Sequence, residues 1–110
     1  MNNQHFPWLI LVPRKENLRE IFDLDDASYM ALMQEVRDTT QKIAAHSKAD
    51  KMNVATLGNM VPQLHIHIIA RFEGDKAWPN PVWASAAAPY PPALLKETAQ
   101  KWENILAITN

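Results

Sequence analysis

The sequence contains no cysteine, which excludes disulfides and thiolate metal sites and leaves the fold to rest on its hydrophobic core. It carries almost no net charge, with 11 Lys and Arg against 12 Asp and Glu. A general nucleic-acid binder needs a basic patch, so that class is set aside. A small anionic ligand held by a few local donors stays open. There is no long hydrophobic run either. The longest, Trp8 to Val12, falls far short of the roughly 20 residues of a membrane-crossing helix. The polar opening Met1-Asn2-Asn3-Gln4-His5 is unlike a signal peptide. With 110 residues and 47% apolar content, these absences point to one soluble, cytoplasmic domain that has a core and no membrane partner.

What is present falls into alternating strand and helix patterns. Phe6-Pro7-Trp8-Leu9-Ile10-Leu11-Val12-Pro13 is a continuous apolar run bounded by prolines, the pattern of a buried central strand. Arg14 at its exit could reach an anion. Asp23, Asp25 and Asp26 offer helix N-caps and negative charge where the helix dipole favours it. Tyr29, Leu32, Met33, Val36, Thr40, Ile43 and Ala44 then recur at helical spacing, so a helix is expected over 26–47. His46 near its end, like His5, reads as a surface residue. Residues 52–57 read as a strand, Gly58-Asn59 as a turn, and 61–72 as a second strand paired antiparallel with the first. Trp78-Pro79-Asn80-Pro81-Val82-Trp83 is irregular and aromatic. Two tryptophans there are costly to leave in water, so they should pack on the sheet or on a partner chain. Residues 85–92 read as a linker and 93–108 as a second helix, giving an α+β chain.

Within the second strand, Gln63-Leu64-His65-Ile66-His67-Ile68-Ile69 alternates polar and apolar residues. Leu64, Ile66 and Ile68 should face the core, with Gln63, His65 and His67 on the opposite side. Two residues along a strand span roughly 6.6 Å, so the imidazoles would stand side by side. One chemistry this permits is zinc binding by His65 and His67, with Glu73 or Asp75 as a third ligand. The other is nucleophilic catalysis, which requires no metal or cofactor. A neutral imidazole attacks once its tautomer is fixed with the attacking nitrogen bare. A main-chain carbonyl on the same strand can fix it, while the second histidine and the Gln63 amide donate to an oxygen of the electrophile. Gly58, Asn59 and Met60 could present backbone N–H groups to phosphate, which makes phosphorus the expected electrophile.

The segment from Gly58 to Ile69 resembles the signature of the histidine-triad (HIT) family, His-φ-His-φ-His-φ-φ with φ apolar, preceded by Gly-Gln-x-Val. Pro7 to Arg14 is similar to the family's apolar strand ending Ile-Pro-Lys, and Trp78-Pro79 to the Trp-Pro that follows the triad in one branch. The resemblance implies a HIT-like domain over 1–83, with 84–110 as a linker and helix packed on it. It implies an antiparallel sheet with two helices, shortened at its N-terminal side, and a homodimer. The implied activity is hydrolysis or transfer of nucleoside monophosphate groups, or of another phosphate ester, anhydride or phosphoramidate, through a covalent histidine intermediate. The nucleophile's role falls on His65, a phosphate contact on His67, and orientation on Gln63. Gln63 stands where the first triad histidine would be, and its main-chain carbonyl can still orient His65. Trp8 stands where an upstream histidine often lies, and Asn2 to Gln4 contain no counterpart of an aspartate that often binds ribose. A non-catalytic relative that binds a nucleotide or other phosphate ligand, and the metal site, are the competing readings.

Overall fold

Six consecutive buried residues form β3, Ile66–Arg71, the middle strand of a three-stranded antiparallel sheet. Its neighbours are β1, Trp8–Leu11, and β2, Lys51–Ala55, in the order β1-β3-β2. Two helices complete the architecture, α1 over Asp26–Ser47 and α2 over Pro92–Leu106. The structure is a computed structural model and describes residues 1–107. It is α+β with an antiparallel sheet and two helices, as the sequence implied.

The faces of β3 divide the interior. Leu64, Ile66, Ile68 and Ala70 pack with Leu18 and with Leu32 and Ile43 of α1, and Leu9, Leu11, Met52 and Trp102 close around them. Burying one such aliphatic side chain contributes about 1.5–3 kcal/mol, so this layer carries much of the stability. The opposite face holds Ile69 of β3 with Phe6, Trp8, Ala77 and Val82, and Ile10 packs against them. Register explains the division: Leu9 and Leu11 lie opposite Ile68 and Ile66, while Trp8 and Ile10 lie opposite Ile69 and His67.

Helix α1 has the boundaries its periodicity requires. Asp25 caps it by accepting from the Ser28 N–H at 2.7 Å, and Lys48 ends it in the left-handed region at φ 54°. A cap of this kind is worth about 1 kcal/mol. His46 and His5 are both exposed. Helix α2 packs on α1 through Trp102 and begins at Pro92, where a missing N–H costs nothing. It ends at Leu106, short of the expected 108, because Ala107 takes the left-handed region at φ 53°; residue 108 lies outside the described residues.

Three expectations need correction. The run around β1 is an edge strand, not the central one. It is apolar throughout because both of its faces are covered, by α1's layer on one side and by Phe6 and Val82 on the other. Such coverage gives the same sequence pattern as a central position. The histidine strand is also shorter than expected, starting at Ile66 rather than 61. Residues before it leave the ladder because the Leu64 N–H donates to the Leu18 carbonyl at 2.8 Å instead of to a neighbouring strand. The strand expected over 52–57 is likewise displaced, to Lys51–Ala55. The antiparallel pairing of β2 with β3 holds.

Candidate active site

His67 sits in the middle of β3, opposite Ile10 on one side and Ala55 on the other. His65 lies one step outside the strand, in the connection from β2. The two rings still meet, with centroids 5.0 Å apart at 73°. Leaving the ladder at Leu64 therefore does not separate the histidines.

Each ring has one nitrogen held. Nδ1 of His65 lies 2.6 Å from the main-chain oxygen of Gln63. A carbonyl only accepts, so Nδ1 carries the proton and Nε2 of the neutral ring is bare. Nδ1 of His67 accepts from the indole Nε1–H of Trp8 at 2.9 Å. An indole N–H only donates, so the neutral His67 ring carries its proton on Nε2. Neither Nε2 has a hydrogen-bond partner among the described residues, and no buried polar side-chain atom there lacks one. Both Nε2 atoms are thus unpartnered and reachable. One is a lone pair and the other a donor.

Trp83 completes the surround. It approaches His67 at 5.0 Å and Trp8 at 5.3 Å, both edge-on at close to 90°, and keeps 45% of its surface exposed. Trp8 and His67 are each only 6% exposed. Burial lowers the His67 pKa from the ordinary 6.5, followed by the charge of His65 and of the chain's amino group. The amino group of Met1 donates to the Trp8 carbonyl at 2.7 Å.

Of the expected site residues, the structure brings together His65, His67 and the Gln63 carbonyl. The Gln63 side chain points elsewhere, donating to the Lys15 carbonyl at 3.3 Å, so its amide is not beside the rings as expected. Gly58, Asn59 and Met60 lie in the connection between β2 and β3. Gly58 has φ +79°, a conformation that favours glycine, and the Met60 side chain is 94% exposed. Arg14 lines a cleft with Glu35, Asp38 and Lys42 that includes neither histidine. Asp75, considered as a metal ligand, is committed to Arg71, at 2.7 and 3.0 Å, and to the N–H groups of Phe72, Ala77 and Trp78. Among the described residues no three His, Asp or Glu gather as a metal site would need. No described helix is long and apolar enough to cross a membrane.

Two participants escaped the sequence reading. The sequence marks Trp8 only as a departure from a histidine, and Trp83 only as a side chain to be packed on the sheet or on a partner. Trp8 reaches His67 because Trp8 pairs with Ile69, which places His67 diagonally across the ladder, within reach of a long aromatic side chain. That diagonal requires the register. An aromatic at the start of an apolar strand was the one available signal.

Comparison with known proteins follows from this geometry. The HIT domain family profile matches residues 1–74. Among solved structures, a histidine triad protein from Marinobacter aquaeolei VT8 superimposes with a TM-score of 0.90 at 42% identity, covering 97% of this chain and 79% of that one. A histidine triad protein from Bradyrhizobium japonicum gives 0.87 at 38% identity, covering 96% and 80%. A histidine triad (HIT) protein from Sinorhizobium meliloti 1021 gives 0.87 at 38% identity, covering 94% and 78%. A search of curated proteins finds no match.

Proposed function

This chain belongs to the HIT family, and from that premise we propose that it hydrolyses or transfers a nucleoside monophosphate group through a covalent intermediate on His65. Membership supports a nucleotide-binding, hydrolase or transferase function in general terms. The observation that carries the finer reading is the 2.6 Å contact between His65 Nδ1 and the Gln63 carbonyl, with Nε2 left unpartnered. That contact holds the tautomer a nucleophile needs without requiring a histidine at position 63.

The steps follow from the two tautomers. The Nε2 lone pair of His65 attacks phosphorus, and the bond from phosphorus to the leaving group breaks. The imidazole ring becomes positively charged, and its Nδ1–H···O=C bond to Gln63 becomes charge-assisted and stronger. Nε2–H of His67 donates to a non-bridging oxygen as charge builds there. Water or another acceptor then attacks the phosphoryl group, His65 leaves as the neutral ring, and the water proton passes to solvent. The backbone N–H groups of Gly58, Asn59 and Met60 are proposed to hold the phosphate, since none donates to another described residue. No metal or cofactor enters.

Turnover of a panel of nucleotide esters, anhydrides and phosphoramidates tests this. We expect product formation that survives exhaustive chelation and disappears in His65→Ala. Saturable nucleotide binding without turnover would replace this reading with the binding-only relative. Stoichiometric zinc with activity lost on its removal would replace it with the metal site. A homodimer is also proposed. The tryptophans that suggested an interface pack on His67 and Arg71 of the same chain, whereas β1 and β2 are both edge strands whose outer backbone groups favour pairing. Light scattering showing only monomer at tens of micromolar would exclude it.

A further inference from the structure

The contact between Trp8 and His67 constrains which leaving groups the site can release. We propose that Trp8 is a positioning residue that locks His67 as a neutral Nε2–H donor, so that the site has no acid for the leaving group and takes phosphoanhydrides in preference to phosphoramidates and alkyl esters. This deepens the covalent His65 reading and rests on it.

The indole N–H can only donate, and it points at His67 Nδ1 from 2.9 Å. Protonating Nδ1 would set two donors against each other in a site where both residues are 6% exposed, and an unsatisfied buried donor costs about 1–3 kcal/mol. Among the described residues, the groups facing His67 add no counter-charge that would favour an imidazolium. Trp8 and Ile10 face it from β1, Ala55 from β2, Trp83 from the segment that follows β3, and His65 from its own chain segment. Behind Trp8, the amino group of Met1 opposes a second positive charge. Lys15, which is near Gln63 through its carbonyl, spends its ammonium on Ser28 and Asp25.

A neutral imidazole N–H donates a hydrogen bond but does not give up its proton near neutral pH. The His65 Nδ1 proton is committed to the Gln63 carbonyl, and its ring is the nucleophile. No facing group is therefore a proton donor of ordinary acidity. A phosphate or carboxylate leaving group departs as a stable anion and needs none. An alkoxide or an amine leaves poorly without one, and general acid catalysis is worth about a hundred- to ten-thousandfold where a leaving group needs it.

Two independent measurements on the full-length protein test the proposal. The first is nitrogen-15 NMR of the imidazoles. At neutral pH His67 should carry its proton on Nε2 and titrate below the ordinary histidine range. Trp8→Phe, which keeps an aromatic ring but removes the donor, should give a mixture of tautomers. A wild-type His67 protonated on Nδ1, or a Trp8→Phe spectrum with unchanged tautomer and titration, overturns the lock. The wild-type spectrum decides this even if the variant fails to fold. The second compares kcat/KM for adenosine 5′-diphosphate, the methyl ester of AMP, and an alkylamine phosphoramidate of AMP. The anhydride should exceed both others by about a hundredfold or more. A phosphoramidate or ester within tenfold of the anhydride overturns the substrate class. No turnover of any of the three sinks the covalent reading itself, while the spectrum still decides the role of Trp8.

Discussion

Two polar side chains are buried on the same face of β3, four residues apart, and they are built in opposite ways. Arg71 is 1% exposed and every nitrogen of its guanidinium is hydrogen-bonded. It donates twice to Asp75, once to Asn53 at 2.8 Å and once to the Asn80 carbonyl at 2.8 Å, with Phe6 and Trp78 near it at 5.5 and 5.6 Å. His67 is 6% exposed and has a single protein partner, Trp8, with its other nitrogen unpartnered. Burial of a polar group does not distinguish structure from function here. The unused hydrogen-bonding capacity does. The Arg71 site is closed and fastens the turn that carries residues 75–80, whereas the His67 site keeps a donor in reserve.

The largest expected effect is on chemistry alone. His65→Ala removes the nucleophile and should abolish turnover while leaving the thermal midpoint close to wild type, since the ring's one bond is to a neighbouring carbonyl. Unchanged turnover would end the covalent account. Arg71→Ala should do the reverse, stranding a buried Asp75 and costing about 3–5 kcal/mol of stability in denaturant titration. A loss below about 1 kcal/mol would mean the closed site is not structural. His67→Ala should lose about 2.7–4 kcal/mol of transition-state stabilisation, on the order of a hundred- to thousandfold in kcat/KM. Its stability cost should be smaller than that of Arg71→Ala, because only the Trp8 N–H loses a partner. If the two costs proved equal, the contrast between the sites would fail.

Acid should sharpen the same comparison. Arg71, with help from three backbone N–H groups and against the effect of burial, holds the Asp75 carboxyl well below its ordinary 3.8. A carboxyl lowered by folding contributes stability that is complete above the unfolded value and is lost as pH falls from there through the folded value. Unfolding free energy should therefore fall as the pH drops below about 4, and this dependence should weaken in Asp75→Asn. An identical acid slope in that variant would remove Asp75 from the account. The smallest effect belongs to Gln63→Ala. The orienting group is the main-chain oxygen, and the side chain makes only one exposed bond, to the Lys15 carbonyl. Activity should stay within a fewfold of wild type and stability within about 0.5–1.5 kcal/mol, and a thousandfold loss of kcat would show that the amide takes part.

How much of this was legible in the sequence depended on whether the signal was local. Helix α1 was readable because its apolar spacing and its Asp25 cap lie within one segment. The contact of the Gln63 carbonyl with His65 was readable because it is two residues away. The edge position of β1 was not, since an edge strand covered on both faces has the sequence of a central one. The exit of His65 from the ladder was not, since it depends on the Leu64–Leu18 hydrogen bond across the molecule. Trp8 and Arg71 depend on strand register and on a turn closing from residue 75. Asp75 was legible as a carboxylate near the histidines in sequence but not as the anchor of Arg71.

The central claim is that His65 presents a bare Nε2 to phosphorus and His67 does not. Enzyme mixed with a radiolabelled nucleotide, quenched during turnover and digested under mildly alkaline conditions, tests it directly. The account predicts an acid-labile phosphoramidate on the peptide at His65, absent in His65→Ala and still formed, more slowly, in His67→Ala. An adduct on His67, or one that survives in His65→Ala, would contradict it.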